Sequence, residues 1–275
     1  RYLPRTIIGE DTLIGDFGDR YCPIPVDRMR VSKPVKKKIL GSRSLKHSGV
    51  TFSEDGQLTV VIPFRDRAEH LAELVPVLKR VLLEQKIEYN IIVVEQEDGK
   101  LFNRGLLKNI GAHYLFDQSD YFCFHDVDIM PIKANYLNPS CPLRLVKTFE
   151  TTWRQSKKLG GSNFGGVVSL NKQDFLKANG YTNNFWGWGK EDDELFIRLV
   201  LSGLIPFEDM EGVFKELPNP PAQKRKSRVA KKNKRIKDRL QRGFEDYKAE
   251  GFSSLNYELL SVVKYADYTK ITVSI

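Results

Sequence analysis

Residues 58–96, LTVVIPFRDRAEHLAELVPVLKRVLLEQKIEYNIIVVEQ, read as strand, helix and strand. The opening LTVVIPF is a β-branched run expected to form a buried strand that stops at Pro63. Leu71, Leu74, Leu78, Val81 and Leu82 then recur at helical spacing, with Pro76 an expected kink. YNIIVVEQ (89–96) is a second buried strand. Working outward, NRGLLKNIGAHYLFDQ (103–118) reads as a helix and DYFCFHDVDIMP (120–131) as a third strand with a polar end. NFGGVVSL (163–170) predicts a strand, KQDFLKANG (172–180) a short helix, and Glu191 to Ser202 a helix stopped by Gly203. KITVSI (270–275) alternates as a last strand. Strands alternating with helices predict an α/β fold with a mixed, mainly parallel sheet flanked by helices. Ligands of such sheets bind beyond the carboxyl ends of the strands. Three polar clusters fall there: PFRDR (63–67), EQEDGKLFNR (95–104) and HDVD (125–128).

The composition, 41% hydrophobic and 29% charged over 275 residues, is that of a globular chain with a sizeable core. Residues 1–54, with weak periodicity and the basic run Lys36-Lys37-Lys38, read as an N-terminal extension. Residues 55–275 read as a single catalytic domain. No apolar run is long enough to span a membrane and no signal-peptide pattern opens the sequence. Cys22, Cys123 and Cys141 read as buried free thiols, with a Cys123–Cys141 bridge left open. These features favour a cytoplasmic, bacterial-type address; the alternative is a Golgi lumenal domain with its anchor removed. The oligomeric state is not readable.

The net charge of +9 is local. Lys224 to Arg242 alone carries +10, so the remainder sums to about −1. Val229, Ile236, Leu240 and Phe244 lie on one face of the helix expected over about 222–247. That helix reads either as a solvated element packed on the domain or as a contact for anionic glycan or a membrane surface. A non-enzymatic polyanion- or nucleic-acid-binding module is the corresponding rival function. Nucleic acid is not the expected partner, because no RNA-binding signature occurs and the aromatics do not interleave with the basic run.

The residues fit for chemistry lie elsewhere. Asp126 and Asp128 flank one apolar residue at a strand end, where two carboxylates suit a hard divalent cation. The bland reading is a solvated turn. Arg65, Arg67 and Arg104 offer forked donors for phosphate, or ordinary surface pairing with Asp66 and Glu69. In NNFWGWGKEDDELFIRL (183–199), four acids follow a Trp-Gly-Trp-Gly run. Acids favour helix starts through the dipole, which also keeps them ionised, as a general base requires. Tryptophan between glycines suits a movable aromatic face over a sugar. Of the four histidines only His125, beside the aspartates, merits interest. A nucleotidyltransferase could also use the aspartates and arginines, but has no need of the Gly-Trp-Gly element.

Together VIPFRDRAEHL, FNRGLLKNIG, HDVDIMP, NFGGVVSLNKQDF, FWGWGKEDDE and LNYELLSVVKYADYTKITVSI resemble the β-1,4-galactosyltransferase family of inverting, metal-dependent glycosyltransferases. The resemblance covers roughly residues 55–275, and HDVD with FWGWGKEDDE is most similar to the branch that adds galactose to xylose. It implies a GT-A fold, a UDP-sugar donor, Mn²⁺ and a saccharide or glycoconjugate acceptor. It further implies that Pro63, Phe64, Arg65, Arg67, Phe102, Arg104, Asp126, Val127, Gly166 and Trp188 contact the donor. Asp128 would bind the metal, and Asp192 would be the general base. Trp186, Trp188, Glu191, Asp193 and Asn163 would join Asp192 around the sugars.

Two departures stand out. Family members supply a histidine metal ligand after the acidic helix, whereas here no histidine follows His125; Glu216 stands in that place as the expected substitute, making the site more tolerant of Mg²⁺. Asn163 replaces a tyrosine that restricts the sugar's C2 group, so UDP-N-acetylgalactosamine is an expected donor beside UDP-galactose.

Overall fold

The computed structural model describes residues 21–23, 49–150, 164–187, 189–218 and 247–275. In chain order its strands are β1 (Tyr21–Pro23), β2 (Phe52–Ser53), β3 (Leu58–Phe64), β4 (Tyr89–Gln96), β5 (Tyr121–His125) and β6 (Ile129–Lys133), then β7 (Asn138–Pro139), β8 (Leu143–Arg144), β9 (Thr148–Phe149) and β10 (Val167–Asn171). β11 (Phe207–Asp209), β12 (Val213–Glu216), β13 (Glu258–Lys264) and β14 (Thr269–Ser274) complete them. The helices are α1 (Ala68–Glu84), α2 (Arg104–Tyr114), α3 (Lys172–Lys177) and α4 (Glu191–Leu201).

The main sheet has nine strands in the order β1-β11-β8-β10-β5-β3-β4-β14-β13. Its centre, β5-β3-β4-β14, is parallel, and antiparallel neighbours flank it at β10 and β13. β3 is buried along its whole length, as its unbroken apolar run requires of a strand covered on both faces. The strand does not stop at Pro63 but continues to Phe64. The β5 pairing ends at Val61, so Pro63 has a strand neighbour on one side only and its missing N–H breaks no ladder there. α1 likewise runs through Pro76, which lies on its exposed face, while Leu71, Leu74, Leu78 and Leu82 are buried. Each such fully buried leucine contributes about 2 kcal/mol.

Within the segment expected as an extension, Tyr21–Pro23 pairs antiparallel with β11 and Phe52–Ser53 with β7. β13 was not read from the sequence as a strand; it forms a hairpin with β14 on the edge of the sheet. Cys123, buried, and Cys141, half-buried, are both free thiols. Among the described residues no helix is long and apolar enough to cross a membrane. The basic stretch Lys224 to Arg242 lies outside the described residues.

Candidate active site

α2 begins where β4 ends, and its first turn is fastened on both sides. Asn103 caps it by accepting from the Leu106 N–H at 3.1 Å, and its own N–H donates to Gln96 Oε1 at 2.9 Å. Asn103 Nδ2 also donates to the Asn183 carbonyl at 2.7 Å, and the Gly187 N–H donates to the Phe102 carbonyl at 2.7 Å. One turn later Asn109 donates to the Tyr181 carbonyl and accepts from the Tyr181 N–H, each at 2.8 Å. The loop leading into α4 is therefore stitched to α2. Gly105 makes the approach feasible: a Cβ there would lie 2.6 Å from the Thr182 carbonyl oxygen.

This juxtaposition brings two acidic stretches to one pair of cations. Arg104 Nη1 lies 2.8 Å from Asp126 Oδ2 and 3.4 Å from Glu191 Oε1. Lys108, one turn on, lies 3.3 Å from Asp192 Oδ1 and 3.8 Å from Asp126 Oδ1, with its ammonium 4.7 Å from the centre of the Tyr181 ring. Lys108 is fully buried. Burial pulls both cations down, but Asp126 and Glu191 around Arg104, and Asp192 beside Lys108, outweigh it and hold both above their ordinary range. Lys108 was not singled out in the sequence. Its one signal was the four-residue spacing from Arg104, which puts both cations on one helix face.

The acids fare unequally. Burial, reinforced by Asp192, pushes Glu191 up to about 7 against the pull of Arg104 and Lys108. This corrects the expectation that the helix dipole keeps that carboxyl ionised: desolvation outweighs it. Asp128 is also raised, by burial and then by Asp126, with Arg104 and Arg67 opposing. Asp126 Oδ1 and Glu191 Oε1 are buried and accept no hydrogen bond, their partners there being the longer ion pairs. Asp193 pairs with Lys190 at 2.7 Å. Glu194 pairs at 3.1 Å with Arg198, which also reaches Glu250 at 2.7 Å and the Asn179 carbonyl at 3.2 Å, locking α4 to its surroundings.

Of the other expected residues, Arg67, Arg104 and the Asp126–Asp128 turn do converge beyond β3, β4 and β5, Arg67 and Arg104 both acting on Asp128. Pro63 and Phe64 end β3, and Val127 is buried. Arg65 instead donates to the Lys100 carbonyl at 2.7 Å and stacks 5.2 Å from the Phe102 ring centre. The Gly166 carbonyl accepts from the Asp126 N–H at 2.9 Å. Trp186 is half-buried, and Gly187 and Gly189, at φ 88° and 91°, adopt left-handed values. Trp188 and Asn163 lie outside the described residues. His125 is buried between the Asp126 carbonyl and the Tyr136 hydroxyl, each at 3.0 Å, and burial lowers it to about 4; it is a neutral packing group.

Glu216 is exposed on β12, in register with Ile129, and the Leu217 N–H donates to the Asp128 carbonyl at 2.8 Å. Among the described residues no three His, Cys, Asp or Glu side chains gather into one metal-holding cluster. A divalent cation nevertheless fits the donor chemistry. Asp128 is a buried carboxyl raised by a second carboxyl, a repulsion that a cation relieves, and Glu216 follows one step along the paired strand.

The chain is similar to known proteins over most of its length. The model of the N-terminal region of glycosyl transferase group 7 matches residues 43–141, and that of the N-terminal domain of galactosyltransferase matches 152–214. Human β-1,4-galactosyltransferase 1 is 33% identical over 269 residues, covering 92% of this chain and 62% of the relative. Human β-1,4-galactosyltransferase 7 is 32% identical over 224 residues, covering 74% and 62%. The chain thus spans 62% of the length of these curated relatives. The catalytic domain of Drosophila β-1,4-galactosyltransferase 7, solved with xylobiose, superposes with a TM-score of 0.68 at 27% identity, covering 80% of this chain and 94% of that one. A mutant of it, solved with manganese, UDP-Gal and xylobiose, gives 0.69 at 26%, with the same coverage.

Proposed function

The chain belongs to the β-1,4-galactosyltransferase family, with the GT-A fold, and from that premise we propose that it is an inverting UDP-sugar hexosyltransferase. It transfers galactose or N-acetylgalactosamine to a saccharide hydroxyl with β linkage. The observation that carries this reading is the pair of cations on α2, which hold Asp126 at one end of the site against Glu191 and Asp192 at the other. Donor and acceptor functions are thereby set side by side.

Arg67, Arg104, Phe64 and Phe102 line the uridine diphosphate side, with Asp126, Val127 and Gly166 against the donor. Asp128 would hold the Mn²⁺ or Mg²⁺, with Glu216 as the further oxygen ligand. When bound, such a cation neutralises the charge that develops on the departing diphosphate. Asp192, nearly buried at the start of α4, takes the proton of the attacking hydroxyl. Lys108 is a positioning residue: its ammonium fixes the Asp192 carboxylate and does not touch the reacting atoms. Glu191, near neutrality in its pKa, and Asp193 hold sugar hydroxyls, with Trp186 the described tryptophan of that loop. Attack on the face opposite the leaving group inverts the anomeric carbon.

The likeness to a structure solved with UDP-Gal and xylobiose makes xylosides the leading acceptors to try. Release of UDP from UDP-galactose and UDP-N-acetylgalactosamine, with Mn²⁺ or chelator and with or without xylobiose, tests the proposal. Metal-dependent release that rises with acceptor is the expected result. Absence of release from every UDP-sugar, with salt-sensitive polyanion binding instead, would overturn it.

A further inference from the structure

Residues 247–254 pack against the loop that leads into α4. Asn179 fastens both parts of this segment: its side-chain amide donates to the Tyr247 carbonyl at 3.1 Å and the Lys248 carbonyl at 2.9 Å, and accepts from the Ser253 N–H at 2.8 Å. Gly251 permits the close approach. A Cβ there would lie 2.2 Å from the Asn179 carbonyl oxygen and 2.5 Å from Arg198 Nη1, and its φ of 141° suits glycine.

The preceding residue, Glu250, is thereby turned onto the loop. Its carboxylate accepts from the Asn183 N–H, and from the Thr182 hydroxyl at 3.2 and 3.3 Å. Thr182 Oγ1 accepts in turn from the Asn184 N–H at 3.2 Å. Three successive loop residues thus depend on one carboxylate, which also takes Arg198 Nη2 at 2.7 Å. Asn183 passes the constraint on. Its side chain donates to the Gly251 carbonyl at 2.7 Å and accepts from Asn109 at 2.9 Å, and its carbonyl accepts from Asn103, the cap of α2. Trp186 follows three residues later. A carboxylate out of water is costly unless donors surround it, and here the donors come from the loop and from α4, which makes it a clamp rather than a local turn.

We propose that Glu250 is a positioning residue for acceptor binding, holding Thr182, Asn183 and Asn184 in place and with them the Trp186 loop beside Glu191 and Asp193. The assignment rests on the glycosyltransferase reading above. Arg198, Thr182 and Asn183 line no part of the diphosphate side, so the effect falls on the acceptor. Apparent acceptor affinity scales with the fraction of molecules whose loop is in place.

Glu250→Gln tests this with little change of shape. The amide offers one accepting oxygen, which the charged Arg198 takes, and its NH₂ then opposes the Asn183 N–H. The variant should raise the KM for xylobiose about tenfold, with Mn²⁺-dependent UDP binding unchanged in calorimetry. Arg198→Met removes the same ion pair but leaves the Asn183 N–H bonded, and should keep that KM within about twofold. Hydrogen exchange read by mass spectrometry needs no turnover: residues 181–187 should exchange faster in Glu250→Gln than in the wild type, and residues 121–128 should not. An unchanged KM, an equal rise in Arg198→Met, or unchanged exchange over 181–187 overturns the proposal. A wild type without acceptor-stimulated UDP release counts against the transferase reading instead, and the exchange comparison still decides whether Glu250 holds the loop.

Discussion

Asp126–Asp128 and Glu191–Glu194 are both runs of carboxylates beside regular elements, yet the fold treats them differently. In the second run every acid faces a cation: Glu191 has Arg104, Asp192 has Lys108, Asp193 has Lys190 and Glu194 has Arg198. In the first, Asp126 shares the same Arg104 and Lys108, while Asp128 is held above its usual range by burial and by its neighbour. The contrast separates acids placed for their own geometry from an acid whose charge awaits an external partner. It also divides the cations: Arg198 braces α4, whereas Arg104 and Lys108 join the two runs.

The sharpest test of this division is Asp192→Asn, which should lower transfer about 10²- to 10⁴-fold while leaving UDP and metal binding largely intact. Near-normal turnover would remove Asp192 from the role of base. Asp128→Ala should abolish metal-dependent binding of the UDP-sugar, read by calorimetry with and without Mn²⁺. If affinity persists unchanged, the Asp126–Asp128 run is not the metal side.

Lys108→Met and Arg198→Met form a matched pair. Each removes one partner of buried ion pairs and should cost about 3 kcal/mol of stability in denaturant unfolding. Only Lys108→Met should also lower kcat, by more than about tenfold per folded molecule, with a smaller change in donor KM. Equal kcat values in the two variants would erase the distinction between bracing and positioning. Glu216→Ala should weaken Mn²⁺ activation several-fold, and an unaltered metal titration discounts it as a ligand.

The smallest effect concerns pH. Folded Glu191 keeps its proton up to about 7, against an ordinary 4.5, so the folded state binds the extra proton between those values. Stability from this group is therefore highest below 4.5 and declines as pH rises to 7. Glu191→Gln should flatten that part of the stability–pH curve. An unchanged slope assigns the proton elsewhere.

Much of the fold was legible because its central strands are unbroken apolar runs and α1 has a clean apolar face. The strand-end clusters were legible for the same reason, since a polar stretch after a buried strand has few places to go. β13 was hidden because Leu259-Leu260 and Val262-Val263 do not alternate, and an exposed, irregular edge has no core face to impose alternation. Lys108 was hidden because a lysine among apolar helix residues ordinarily reads as solvent-facing. The titration of Glu191 was misjudged because the dipole is a local property of the helix, while desolvation depends on what packs over it.

One consequence of the arrangement on α2 concerns the chain between the acidic runs. Arg104 and Lys108 are separated by one helical turn, about 6 Å along the axis, and each grips a different part of the second run. The distance between the two halves of the site is thus gauged by a rigid ruler that belongs to neither. Of the more than sixty residues connecting Asp128 to Glu191, those nearest α4 bear on the ruler from the side, through Tyr181, Asn183 and Gly187. Inserting one residue between Arg104 and Lys108 would turn the second cation about 100° away and take the halves out of gauge.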